Sequence, residues 1–159
     1  MPDSLAGLTE LAARVPYLAW LGVHFSLDAD GGLVAHLPYA PHLIGNPLPP
    51  ALHGGVTAAF LETTALAALS LSMRDAEGRM PGALARTIDI TIDYLRPGRP
   101  EPCHARAILT RSGRRYASVR VEAWQSDPAR PFAEAMGHFL MPREAGAGVG
   151  AGTGDSAGT

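Results

Sequence analysis

Between His53 and Arg74 the chain runs for twenty residues with a single charge, Glu62. Apolar residues fall on every side of a helix drawn through this run, so such a helix must be surrounded by the rest of the chain. The run is also long enough for a membrane span, but lipid penalises Glu62 and the hydroxyls of Thr57, Thr63, Thr64, Ser70 and Ser72. The expectation is therefore a buried central helix from about Gly54 to about Met73, ended by the polar turn from Arg74 to Gly78. A lone ion is costly to bury, which makes Glu62 the first candidate for chemistry.

The segments around this run read as strands. Val23, Phe25 and Leu27 alternate with polar residues, Asp30-Gly31-Gly32 turns the chain, and Leu33 to Leu37 returns, which predicts a hairpin. After the helix, Ala85 to Leu95, Cys103 to Thr110, Arg115 to Trp124 and Phe132 to Met141 follow, separated by turns rich in glycine, proline and arginine. Ala85 to Leu95 alternates cleanly, with Ile88, Ile90, Ile92 and Tyr94 on one face and Thr87, Asp89, Thr91 and Asp93 on the other. Leu5 to Val15 has helical spacing, with Pro16 as a stop. Pro38 to Leu52 holds five prolines and is expected to be a stiff loop without regular structure. The fold class that satisfies both hydrophobic surfaces is α+β, one antiparallel β-sheet wrapped around one long central helix. Three segments result: residues 1–17 as an N-terminal helical segment, 18–142 as the domain, and 143–159 as a Gly/Ala-rich tail too poor in apolar surface to order.

Composition narrows the function. Thirteen arginines nearly balance fifteen acids, leaving a formal charge of -2, so no global basic field attracts nucleic acid and no nucleic-acid or membrane partner is expected. Cys103 is alone, which excludes an internal disulfide, and the scattered histidines His24, His36, His42, His104 and His138 show no ligand spacing, so no metal site is expected. The N-terminus lacks the basic stretch of a secretory signal, and the expected location is cytoplasmic.

A helix N-terminus offers unpaired N–H groups and about half a positive charge, which together stabilise an oxyanion. Gly54 and Gly55 leave that terminus open to a substrate carbonyl. Glu62 then has two available roles, attacking carboxylate or base for a water. Eight residues at ~1.5 Å rise put Glu62 about 12 Å from Gly54 along the axis, further than its side chain reaches. If both act on one carbonyl they come from different subunits, which predicts a homodimer with two composite sites.

Leu52-His53-Gly54-Gly55, then Glu62, then Thr87-Ile88-Asp89-Ile90-Thr91-Ile92-Asp93-Tyr94-Leu95-Arg96-Pro97, resembles the hotdog-fold acyl-CoA thioesterases, in particular the phenylacetate-degradation and 4-hydroxybenzoyl-CoA thioesterase branch. The resemblance covers roughly residues 18–142. It implies a hotdog fold and hydrolysis of acyl-CoA, with CoA entering only as part of the substrate and no cofactor. It assigns the carbonyl-binding amide to Gly54, the acid to Glu62, and a turn-shaping role to His53, with Gly55 completing the motif. Asn46 is the nearest counterpart of the polar residue that precedes the motif, standing about one residue early in a proline-rich stretch. Thr87 matches a position where some members carry a catalytic Ser or Thr. CoA phosphates call for arginines, and Arg96, Arg99, Arg114 and Arg115 lie at strand ends and turns. Leu43, Ile44, Phe60 and Leu61 are candidates to line an acyl pocket. Dimers are expected to pair into homotetramers. The alternative is a non-catalytic acyl-CoA-binding module on the same fold.

Overall fold

The computed structural model describes residues 3–76, 79–81 and 83–142. The Gly/Ala-rich tail expected to be disordered lies outside them. Helix α1 (Asp3–Arg14) is followed directly by α2 (Pro16–Leu21), so Pro16 opens a second helix rather than ending structure. At the first helical position its missing N–H would have had no partner in any case. Gly22 closes α2 at φ 74°, a left-handed conformation that favours glycine. The predicted hairpin is β1 (His24–Leu27) and β2 (Leu33–Leu37).

The proline-rich stretch is more regular than expected. It holds a 3-10 turn at Pro41–Leu43 and a two-stranded ribbon of β3 (Ile44–Pro47) and β4 (Pro50–Leu52). Its prolines fit because Pro41 starts the turn, while Pro47 and Pro50 pair with each other at the ribbon's closed end. Gly45 seats the ribbon on the helix start: a Cβ there would lie 2.6 Å from the His53 Cα, so no other residue fits. Helix α3 (Gly54–Ser72) follows, and then β5 (Arg86–Tyr94), β6 (Cys103–Ser112), β7 (Tyr116–Trp124) and β8 (Ala133–Leu140).

Six strands form one antiparallel sheet in the order β1-β2-β6-β7-β8-β5, which leaves β5 as an unpaired edge. The sheet face toward α3 is built largely of small residues, among them Ala35, Ala105, Ala123, Ala133 and Ala135, all buried. Small side chains let the helix approach closely, and Phe60, Leu61, Ala65 and Leu69 fill the space between the layers. Two of the buried hydroxyls are satisfied within the helix: Thr64 Oγ1 donates to the Phe60 carbonyl and Ser70 Oγ to that of Leu66, each at 2.8 Å. Helix α1 adds a second, smaller core in which Leu8 meets Leu33, Ala67 and Ala68. The length and composition of Gly54–Ser72 would suit a membrane span, and in this fold it lies along the sheet instead.

The clean alternation expected along β5 is broken by a bulge. Thr87 pairs with Phe139 and Asp89 with His138, so Ile88 is an extra residue without an opposite number and is 54% exposed. The phase of the strand flips there. Thr87 therefore shares the helix-facing side with Ile90, Ile92 and Tyr94, rather than lying opposite them.

On the outer face, strand register assembles histidines that are scattered in sequence. His24, His36 and His104 are successive cross-strand partners on β1, β2 and β6. The Nδ1 atoms of His36 and His104 are 2.8 Å apart, so one donates and the other accepts, and His36 Nε2 meets Ser26 Oγ at 2.7 Å. Burial, then the His104 and His24 imidazoles, lower the His36 pKa from its ordinary 6.5. The folded chain thus binds this proton less readily than the unfolded chain. Its stabilising contribution is complete above about pH 6.5 and is lost as pH falls below that value. The expected result is a melting temperature that declines more steeply between about pH 7.5 and pH 5 in the wild type than in His36→Gln, which keeps hydrogen-bonding capacity without the titration. Parallel curves would show that the row contributes nothing to pH sensitivity.

Candidate active site

The start of α3 is held by backbone and side chain together. His53 is its N-cap residue, and the ring Nδ1 accepts from the Gly55 N–H at 2.9 Å. The His53 N–H donates to the Leu43 carbonyl at 2.8 Å, while its own carbonyl accepts from Val56 and Thr57 at 3.0 and 3.1 Å. Among the described residues the Gly54 N–H has no partner. That N–H is the kind of orphan donor a helix terminus exposes.

A groove of about 410 Å³ opens at this terminus, lined by Leu52, Gly54, Thr57, Tyr94 and Phe132 with the Leu95–Gly98 turn. An adjoining groove of about 380 Å³ shares Arg96, Pro97 and Phe132 and continues past Arg99, Gln125 and Arg130. Leu43, Phe60 and Leu61 do not line either groove. They are fully buried core, because each faces the interior between helix and sheet, and Ile44 packs against the same core.

Glu62 lies two helical turns away, partly buried, where Thr87 Oγ1 donates to its Oε1 at 2.5 Å. No cation pairs with it among the described residues. The β5 bulge makes this contact possible, since without it the Thr87 side chain would leave the sheet on the far side. At the other end of the strand the Tyr94 hydroxyl donates to the Gly54 carbonyl at 2.9 Å. One edge strand thus touches both candidate groups, Glu62 near its beginning and Gly54 at its end. Glu62 does not line the groove that Gly54 lines, so within one chain the two do not meet.

The remaining candidates divide. Asn46 keeps its side chain in its own turn, accepting from the Leu48 N–H at 3.1 Å. Arg96 donates to the Pro131 carbonyl at 2.6 Å and Arg99 pairs with Glu101 at 2.9 Å, both at the groove end of the sheet. Arg114 and Arg115 belong to the β6–β7 turn, at the end where Tyr116, Leu140 and Arg86 are cross-strand neighbours. They are therefore at the opposite end of the sheet from Arg96 and Arg99. Tyr94, Gln125 and Arg130 were not singled out by sequence. Only Tyr94 carried a signal, as a large aromatic beside the Arg96-Pro97 turn.

A long helix enclosed by one antiparallel sheet, with the helix start open at the sheet's end, defines the hotdog class of α+β proteins. The chain belongs to the thioesterase superfamily, whose family description matches residues 50–132. It is 38% identical over 89 residues to an Escherichia coli protein named medium/long-chain acyl-CoA thioesterase YigI, covering 52% of this chain and 57% of that one. The chain thus spans about half the length of the curated relatives it matches. Among solved structures, a Chromobacterium violaceum protein is 34% identical with a TM-score of 0.64, over 84% of this chain and 88% of that one. A Bacillus halodurans protein crystallised with CoA has the same fold at 23% identity and a TM-score of 0.71, covering 90% and 93% of the two chains.

Proposed function

We propose that this chain hydrolyses acyl-CoA thioesters to free acid and CoA at a site shared between two subunits. The observation that carries the reading is the placement of Glu62 and Gly54 against opposite ends of one unpaired edge strand. An exposed edge of nine residues with Ile88 and Tyr94 each 54% exposed invites a further strand. If β5 pairs antiparallel with its own copy about a two-fold axis, the Thr87 end of one chain lies beside the Tyr94 end of the other. Glu62 of one subunit then approaches the Gly54 amide of its partner, which removes the separation of about 12 Å along a single helix.

In this arrangement the thioester carbonyl accepts from the Gly54 N–H at the positive end of the helix, and charge develops on its oxygen as the carbon is attacked. Glu62, oriented by Thr87, serves as nucleophile or as base for the attacking water. His53 and Gly55 shape the turn, and the chemistry calls on no metal or redox cofactor. The groove past Arg96, Arg99 and Arg130 suits the phosphate-bearing end of CoA, with Arg114 and Arg115 reaching it only from the copy. Residues 18–142 act as the catalytic unit with helix α1 packed on it through Leu8, in dimers that pair into tetramers in the cytoplasm. The His-Gly-Gly and Glu spacing supports the phenylacetate-degradation and 4-hydroxybenzoyl-CoA branch by motif, whereas the likeness to YigI supports medium and long acyl chains.

The test is thiol release from short-chain, medium-chain, long-chain and aromatic acyl-CoAs. Turnover of at least one class is expected. Tight binding of a non-hydrolysable acyl-CoA analogue without release of thiol from the matching ester would replace hydrolysis with the non-catalytic binding module.

A further inference from the structure

We propose that Tyr94 is a positioning residue for the Gly54 amide, an inference that rests on the hydrolytic reading above. The peptide joining Gly54 to Gly55 is gripped at both ends. Its carbonyl accepts from the Tyr94 hydroxyl at 2.9 Å, and its N–H donates to His53 Nδ1 at 2.9 Å. Two successive glycines have no Cβ to restrict φ and ψ, so these two bonds add to the helix ladder where the backbone is otherwise least restricted. The neighbouring peptide, between His53 and Gly54, is fixed by its carbonyl, which accepts from Val56 and Thr57. Because a trans peptide is planar, holding that carbonyl inside the helix turns the Gly54 N–H outward. Tyr94 completes the restraint on the far side of the Gly54 Cα.

The phenol also shapes the approach. Its ring edge and hydroxyl stand 3.5–3.6 Å from the point a Cβ on Gly54 would occupy, and the ring lines the groove at that residue. A carbonyl can therefore reach the Gly54 amide only from the side that Tyr94 leaves open. Donors aimed in advance at a developing oxyanion act chiefly in the transition state, so loosening one lowers kcat and leaves substrate binding alone.

Tyr94→Phe removes the hydroxyl and keeps the ring. The expected result is a fall in kcat of about three- to tenfold, with KM changed less than about twofold. Exchange of the Gly55 amide with solvent, followed by NMR, is expected to quicken in the variant while the melting temperature stays close to wild type. Unchanged amide exchange would overturn the clamp whatever the kinetics show. Faster exchange with wild-type kcat would overturn its part in positioning. A wild-type protein that releases thiol from no acyl-CoA would defeat the hydrolytic reading, and with it the positioning role, while the exchange measurement still decides whether the clamp exists.

Discussion

If the proposed hydrolysis runs through Glu62, replacing it by glutamine is expected to lower kcat for acyl-CoA hydrolysis by about 10²–10⁴-fold, the range set by loss of a positioned base. Stability is expected to move the other way or not at all. Glu62 is a partly buried carboxylate with no cationic partner among the described residues, so it bears a desolvation cost that no ion pair offsets. Glutamine has nearly the same shape and still accepts the hydrogen bond that Thr87 donates at 2.5 Å. A glutamate retained for structure would show the opposite pattern, with activity preserved and stability reduced. Thr87→Val is the companion control: it leaves the carboxylate charged but without its hydroxyl donor, and should cost about tenfold or more in kcat through a mobile Glu62. Thiol-release kinetics and thermal melts on the same samples separate these outcomes. Turnover within tenfold of wild type for Glu62→Gln would remove Glu62 from the chemistry.

The fold was legible because its strongest signals are local. The apolar run from Gly54 admits only a surrounded helix, and the alternation from Cys103 onward specifies strands whatever they pair with. Failures came where a residue's meaning depends on contacts distant in sequence. Nothing in the alternation from Thr87 to Tyr94 marks Ile88 as a bulge, because the extra residue shows only in register with β8. Strict alternation therefore puts Thr87 on the face away from the isoleucines, whereas the bulge turns it toward Glu62. The histidines His24, His36 and His104 looked unrelated for the same reason, since only strand pairing puts them in a row. At the candidate site, Gly54 and Glu62 stand out in sequence as the glycine that opens an apolar run and the single charge within it. The grip of Tyr94 on the Gly54 carbonyl spans forty residues and leaves no periodic trace. The proline-rich segment misled through a sound rule applied too widely: prolines break a central strand but not the closed end of an isolated ribbon.

A mixed dimer offers the second large effect. Gly54→Val should abolish most activity, because a side chain there projects toward the Tyr94 phenol and into the groove, and displaces the amide. Glu62→Gln is expected to be nearly inactive for its own reason. If each site takes the amide from one chain and the carboxylate from the other, a dimer of one Gly54→Val chain and one Glu62→Gln chain has one site carrying both defects and one carrying none. Random assembly makes about half of the dimers mixed, each with one intact site of two, so co-expression of the two variants should restore about a quarter of wild-type turnover per protomer. Were both groups drawn from the same chain, every site would keep one defect and mixing would give only the average of the two parents. The edge-strand geometry favours restoration: Thr87 with Glu62 near the start of β5 and Tyr94 with Gly54 at its end can be brought together by a two-fold axis midway between two paired β5 edges, but not by any bending of a single straight helix.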